Sequence, residues 1–295
     1  MRAILMLVLT NLAILATVSI VWSVAGAITG KPLGGAGFHD GIGTVLLACA
    51  ILGFTGAYVS LLMSKFIAKW STRLKTITGH EGSREAWLVS TVERLAQRAG
   101  IRTPEVGIYE GAPNAFATGA FRNSALVGVS TGLLETMPKE EVEAVLAHEV
   151  AHIANGDMQT MTLVQGVFNT FVYFFARLAG HFVDRVVLKN EDDAPGAGYW
   201  ITNVIAQIFF GILATLVLMA YSRHREYRAD WGAAELMGRA TPMQQALGTL
   251  LRMQSGSGLP ASMAAMGING EKMLALFSSH PPLESRIERL DGFGR

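Results

Sequence analysis

The sequence predicts an integral membrane protein, mostly α with a small β-sheet, and three observations predict it. The 295-residue chain is 51% hydrophobic but only 16% charged, against about 25% charged in an average soluble domain, and its mean hydropathy is +0.35. Its apolar residues collect in four long stretches, and its polar remainder carries short β-branched runs bounded by Gly, Pro and Asn. This composition excludes intrinsic disorder, which needs low hydrophobicity and high net charge. A net charge of +1 provides no field to recruit nucleic acid. The single cysteine, Cys49, excludes an internal disulfide and a Cys-rich zinc ribbon, so any metal site must use His and carboxylates.

The first apolar stretch, residues 3–28, lies between Arg2 and Lys31, and the second, 41–64, between Asp40 and Lys65. Each exceeds the roughly 20 helical residues that cross a bilayer core. Ala25-Gly26-Ala27 has the small-x-small form of a signal cleavage site. The first run is, however, far longer than the about 7–15 residues of a signal h-region, so it reads as an uncleaved anchor. The third stretch, 158–175, is interrupted by Gln165 and Asn169, and the fourth, 200–221, is uninterrupted. A buried helical hairpin in a soluble core is the alternative for the last two; their length favours spanning. Lys65, Lys69, Arg73 and Lys75 follow the second stretch, and Arg223, Arg225 and Arg228 follow the fourth. Lys31 alone follows the first, and the third–fourth loop is acidic at Glu191-Asp192-Asp193, although Arg185 and Lys189 weaken that asymmetry. The positive-inside rule therefore expects both termini and segments 65–157 and 223–295 in the cytoplasm.

Between the second and third stretches, residues 83–99 read as a helix capped by Ser83, with Glu85 in its first turn and Gly100 at its end. Residues 105–109 and 125–130 read as strands, with Asn114-Ala115-Phe116-Ala117 between them as a further apolar run ending at Gly119. Pro138 suits the first position of a helix that carries Glu140, Glu141 and Glu143 near its positive end and stops at Asn155-Gly156. Further helices are expected at 226–238, 241–253 and 284–290.

On the helix beginning at Pro138 stands His148-Glu149-Val150-Ala151-His152. Residues i and i+4 share a helical face, so both imidazoles can turn to one ion while Glu149 stands beside that face. The plain alternative is a pair of histidines satisfied by hydrogen bonds. A catalytic zinc site typically takes a third protein ligand. Glu226, in Ser222-Arg223-His224-Arg225-Glu226-Tyr227-Arg228-Ala229-Asp230, is one candidate and His224 the other. Asp230, one turn beyond Glu226, could orient a ligand imidazole. Arg286 is placed to orient neighbouring carboxylates. His39, His80 and His181 read as surface or interfacial residues, and Met253, Met263 and Met266 as core.

HEVAHIANGD, SRHREYRAD, NAFATG and Ser279-His280-Pro281-Pro282-Leu283 together resemble the membrane metalloproteases of the HtpX type, within the wider group that includes the CaaX prenyl-protein endopeptidases. The likeness covers almost the whole chain. It implies two transmembrane hairpins, 1–64 and 158–222, and a zincin-like cytoplasmic catalytic domain made of 65–157 and 223–295. It implies one Zn2+ per chain held by His148, His152 and Glu226, with His224 a neighbour, Glu149 the general base and His280 a stabiliser of the oxyanion. The Asn114–Ala117 run is implied to be an edge strand to which an extended substrate adds. The implied partners are misfolded or unfolded protein substrates and the lipid bilayer of a bacterial inner membrane, with no nucleic acid. A catalytically silent scaffold or chaperone is the competing class, against which the intact Glu149 argues. A metal transporter would need polar residues within the spans, which carry few. Oligomeric state is not legible.

Overall fold

The apolar stretches fold as helices, and three of them continue beyond their apolar limits. The computed structural model describes residues 2–29, 41–192, 194–256 and 280–293, with the backbone alone at 2–11, 29 and 254–256. Lys31, His39, Asp193, Met263, Met266 and Ser279 lie outside the described residues.

Helices α1 (Arg2–Thr29) and α2 (Ile42–Thr72) come first, followed by β1 (Lys75–Ile77), α3 (Ser83–Arg98), β2 (Glu105–Tyr109), β3 (Ala115–Thr118) and β4 (Leu126–Ser130). Next are α4 (Thr131–Thr136), α5 (Lys139–Asn155), α6 (Asp157–Phe182), α7 (Ala197–Met237), α8 (Thr241–Gly256) and α9 (Leu283–Leu290). The chain divides into two compact units: Met1–Leu61 with Met161–Leu218, and Leu62–Thr160 with Met219–Arg295.

In the first unit, α2 and α7 contain windows of mean hydropathy 2.2, long enough to cross a membrane. Only 17% of the α7 window is buried. Ile201, Ile205, Ile208, Phe209 and Ile212 stand exposed along it. A core helix of a soluble protein would hide such residues, so the buried-hairpin alternative does not describe α7. Small residues let α2 and α6 approach closely: a Cβ on Gly53 would stand 2.7 Å from the Thr170 amide nitrogen.

In the second unit the sheet has the order β1-β2-β4-β3. β2 and β4 are parallel, whereas β1 and β3 run antiparallel to their neighbours. Val106, Val127 and Val129 form one core with Leu88, Val92 and Leu95 of α3 and with Val142, Leu146 and Val150 of α5. Ala246 and Leu247 of α8 close that core, and Leu290 of α9 joins it. On the opposite face Leu74, Tyr109, Leu126 and Phe116 cluster. There a Cβ on Gly128 would stand 2.5 Å from the Phe116 ring, so glycine is what lets that ring lie over the sheet.

Four local readings change. Ser83 is the first residue of α3 rather than its cap; Gly82 takes that place without a side-chain bond. Pro138 is the N-cap of α5 rather than its first helical residue, its ψ of 151° being extended. The fourth stretch and the helix expected at 226–238 are one 41-residue helix, α7. No Gly or Pro occurs between Gly211 and Gly232, so the charged run Ser222–Asp230 changes the polarity of the helix surface without breaking its backbone. Strand β1, inside the basic cluster after α2, was not expected; its three residues pair with Val106–Ile108.

Candidate metal centre

Helix α5 owes its end to Gly156, whose φ of +68° is the left-handed turn that closes a helix and starts the next element at Asp157. His148 and His152, one turn apart on α5, bring their Nε2 atoms to 3.1 Å. From α7, Glu226 places Oε2 3.5 Å from His148 Nε2 and Oε1 3.4 Å from His152 Nε2. His148 and Glu226 are buried, and His152 is partly so. His224 is exposed on the other side of α7, as a two-residue step of about 200° requires.

Each imidazole is backed by a carboxylate and each carboxylate by an arginine. His152 Nδ1 lies 2.6 Å from Asp157 Oδ2, and Asp157 is paired with Arg228. Arg225 also donates to the Asp157 carbonyl at 3.1 Å. His148 Nδ1 lies 2.9 Å from Asp230 Oδ1, a charge contact whose angle falls short of a hydrogen bond. Arg286 grips Asp230 through Nε at 2.7 Å and Nη2 at 2.6 Å and lies 3.6 Å from Glu226. Helix α9 is further fixed to α7 by the Tyr227–Ser285 hydroxyl pair and by Arg289, which stacks 3.8 Å over the Tyr227 ring.

The electrostatics follow from this crowding of anions. Burial opposes ionisation of Glu226, but the close imidazoles of His148 and His152 and the His280 ring outweigh it and hold the carboxyl far below its ordinary range. Burial likewise opposes a charged His152, yet Asp157 and Glu226 overcome it and push the imidazole up to about 9. His148 is raised in the same sense: burial is outweighed by Asp230 and Glu226. Burial acts against the Asp230 and Asp157 carboxylates too, and Arg286 for the first and His152 for the second keep both low.

A divalent cation fits this donor set. Carboxylates at both Nδ1 atoms favour protons there, so a metal that displaced the Nε2 protons would meet two lone pairs 3.1 Å apart. Donors about 2.0–2.1 Å from a tetrahedral ion stand about 3.3 Å apart, close to the three separations of this cluster. The same demand for positive charge that raises both imidazoles would be met by a metal.

The other expected site residues fall as follows. Glu149 is half-buried on α5, and its charge is felt at His152, Arg286 and Tyr109. His280 places Nδ1 2.7 Å from Glu226 Oε2, so it engages the carboxylate of the candidate ligand itself. Residues Ala115–Thr118 form β3 at the sheet edge, tied at its start by Asn114, whose amide donates to Ser130 Oγ at 2.9 Å. Phe116 packs its ring 5.5 Å from Tyr109. His80 is exposed and His181 half-buried, and neither joins the cluster; Met253 packs on the core. Asp157 and Arg228 were missed as partners of His152. A carboxylate placed directly after the left-handed turn that ends the two-histidine helix was the available signal.

The model of peptidase family M48 matches residues 82–293, which is the metalloprotease class that this donor set fits. Over 98% of this chain, the protease HtpX homologues of Leptothrix cholodnii and Herminiimonas arsenicoxydans are 52% and 53% identical, each over 99% of its own length. That of Chlorobium phaeobacteroides is 51% identical over 99% of this chain and 95% of its own. The chain therefore belongs to the M48 family of membrane metalloproteases, in its HtpX branch. The crystal structure of Ste24p from S. mikatae shares the fold, with a TM-score of 0.63 over 91% of this chain at 18% identity; the chain spans 64% of that structure's length.

Proposed function

We propose that the protein is a zinc endopeptidase of a bacterial inner membrane, cutting misfolded or damaged membrane proteins on the cytoplasmic side. The observation that carries this reading is the convergence of His148, His152 and Glu226 with Glu149 half-buried beside them. One zinc ion per chain, held by those three residues, would act as a Lewis acid on water and on the scissile carbonyl. Glu149 takes the proton of the attacking water and returns it to the leaving amine. His280, whose Nδ1 lies 2.7 Å from Glu226 Oε2, serves the developing oxyanion beside that ligand. Asp157 and Asp230 hold the imidazoles in one tautomer, and Arg286 holds Asp230 and Glu226. The outer edge of β3 takes an extended segment of substrate by main-chain hydrogen bonds. The domain reading is two hairpins, α1 with α2 and α6 with α7, anchoring a zincin-like catalytic domain on the Lys- and Arg-rich side of the bilayer.

Glu149→Gln tests the assignment of roles. Cleavage of casein by the purified, detergent-solubilised variant should fall at least about a hundredfold, as loss of a general base entails, while zinc per chain, measured by elemental analysis, stays at the wild-type level. Loss of zinc along with activity would make Glu149 a ligand and sink the mechanism.

A further inference from the structure

The first unit contains a cavity of ≈ 580 Å³ walled by α1, α2 and α6. Ile14 and Leu52 represent its apolar side; Ser60 of α2 and Gln165, Asn169 and Tyr173 of α6 supply the polar one. Spacings of four residues place Gln165, Asn169 and Tyr173 in one stripe along α6. Gln165 is exposed and Asn169 and Tyr173 are half-buried. The side-chain amides of Gln165 and Asn169 make no hydrogen bond to another described residue.

On the two-hairpin reading α6 crosses the bilayer, where there is no water to satisfy such amides, and polar groups persist there where they meet a partner or line a functional cavity. Each amide both donates and accepts, so its partner must offer acceptors and donors. An acyl chain offers neither. Among the described residues lining the cavity there is no Lys, Arg or His, so nothing there answers the charge of a phosphate headgroup. One helical turn, by its pitch and diameter, occupies about 400–600 Å³. A peptide turn whose own hydrogen-bonding groups are exposed within the bilayer meets all three conditions.

We propose that this cavity is an intramembrane recognition site for a substrate transmembrane segment that carries unsatisfied hydrogen-bonding groups. The inference rests on the endopeptidase reading and on the two-hairpin reading, and deepens the first. A correctly assembled membrane protein hides its polar groups among its own helices, whereas a misassembled one displays them to the bilayer, and the amide stripe reads that difference.

The test uses the full-length, zinc-loaded protein in phosphatidylcholine nanodiscs with two single-span substrates. Both carry the same unstructured tail, and their Leu-rich spans differ by one Asn or Leu. Wild type should prefer the Asn span about three- to tenfold in kcat/KM, the range of hydrogen bonds between membrane helices, with the difference in KM. In Gln165→Leu/Asn169→Leu the preference should fall to about one, with zinc content confirming an assembled site. A wild-type ratio near one, or a preference that survives the double substitution, overturns the proposal. So does a co-purifying lipid, detected by mass spectrometry, that is lost in the double variant while the ratio holds. Binding of both spans to Glu149→Gln in the same nanodiscs, read by fluorescence, separates the two claims. Preferential binding with no cleavage by wild type would leave the cavity standing and the endopeptidase reading fallen; cleavage without preference would do the reverse.

Discussion

His148 and His152 are held by two relays of the same composition, imidazole to carboxylate to arginine, in opposite surroundings. Around His148 the relay is dry: Asp230 is 2% and Arg286 6% exposed, and the guanidinium grips its carboxylate with two hydrogen bonds. Around His152 the carboxylate, Asp157, is buried, but the Arg228 side chain is 51% exposed. The lesson lies in what could replace each arginine. Arg228 already stands in water and salt, and Asp157 keeps His152 and the nearby Arg225 when it is lost, whereas nothing replaces Arg286 beside Asp230. The dry relay thus joins α7 to α9 as well as orienting a ligand, and the wet one is closer to a pure tuning device.

Breaking the dry relay gives the largest effect. Asp230→Ala leaves Arg286 buried without its main partner, a loss of about 3–5 kcal/mol for a dissolved buried pair. The thermal midpoint of the detergent-solubilised variant should drop by many degrees, and zinc should be lost with it. A variant with an unchanged midpoint would show that Arg286 finds full compensation in Glu226, 3.6 Å away.

Asp157→Asn strikes the wet relay at its carboxylate and comes second. The amide keeps the shape but not the charge behind His152, so zinc affinity in chelator competition should fall about 10–100-fold, with little change in thermal midpoint. A midpoint loss as large as that of Asp230→Ala would erase the distinction between the relays.

Much of this site was legible because it is local. The four-residue spacing of His148 and His152 is a property of one helix, and the structure brings those rings together as that spacing demands. Glu226 was legible only as one of two candidates, because spacing alone does not say which face of α7 is buried; packing does. The contacts that pair residues distant in sequence were out of reach of sequence pattern. Arg286 meets Asp230 across 56 positions, and Asp157, although just past the expected helix stop at Asn155-Gly156, was given no role because no pattern tied it to His152. The basic residues that gave the orientation signal have local partners too: Lys65 and Lys69 both bind Glu105 at 2.6 Å, and Arg228 binds Asp157. In the fold, strands were readable from their β-branched runs, but the length of α7 was not, because charge was taken for a helix end where only Gly or Pro would have made one.

Arg228→Gln removes the exposed end of the wet relay and should cost little, at most about 1 kcal/mol, since exposed pairs are screened and solvated. Raising the salt concentration should shrink the difference from wild type in zinc affinity. A salt-independent loss would mean that the pair behaves as a buried one.

A carboxylate with no histidine behind it gives the smallest effect and serves as the reference for both relays. Glu81, in the turn before α3, accepts from the Thr78 amide at 2.8 Å, the Thr78 hydroxyl at 2.9 Å and the Gly79 amide at 2.8 Å. The Thr78 amide is the chief reason that its carboxyl is held down to about 2, from an ordinary 4.5. A carboxyl depressed by folding stabilises the fold above its unfolded value and loses that contribution as pH falls through its folded one. The Glu81 contribution should therefore be complete at neutral pH and fade between about 4.5 and 2. Glu81→Gln keeps an acceptor but not the charge. It should lower the thermal midpoint slightly at pH 7, and the gap to wild type should narrow by pH 3, where titration of the metal centre is common to both proteins and cancels in the difference. Zinc content should not change, because Glu81 touches neither relay. A gap that stays constant from pH 7 to pH 3 would show that the turn uses the shape of the side chain and not its charge.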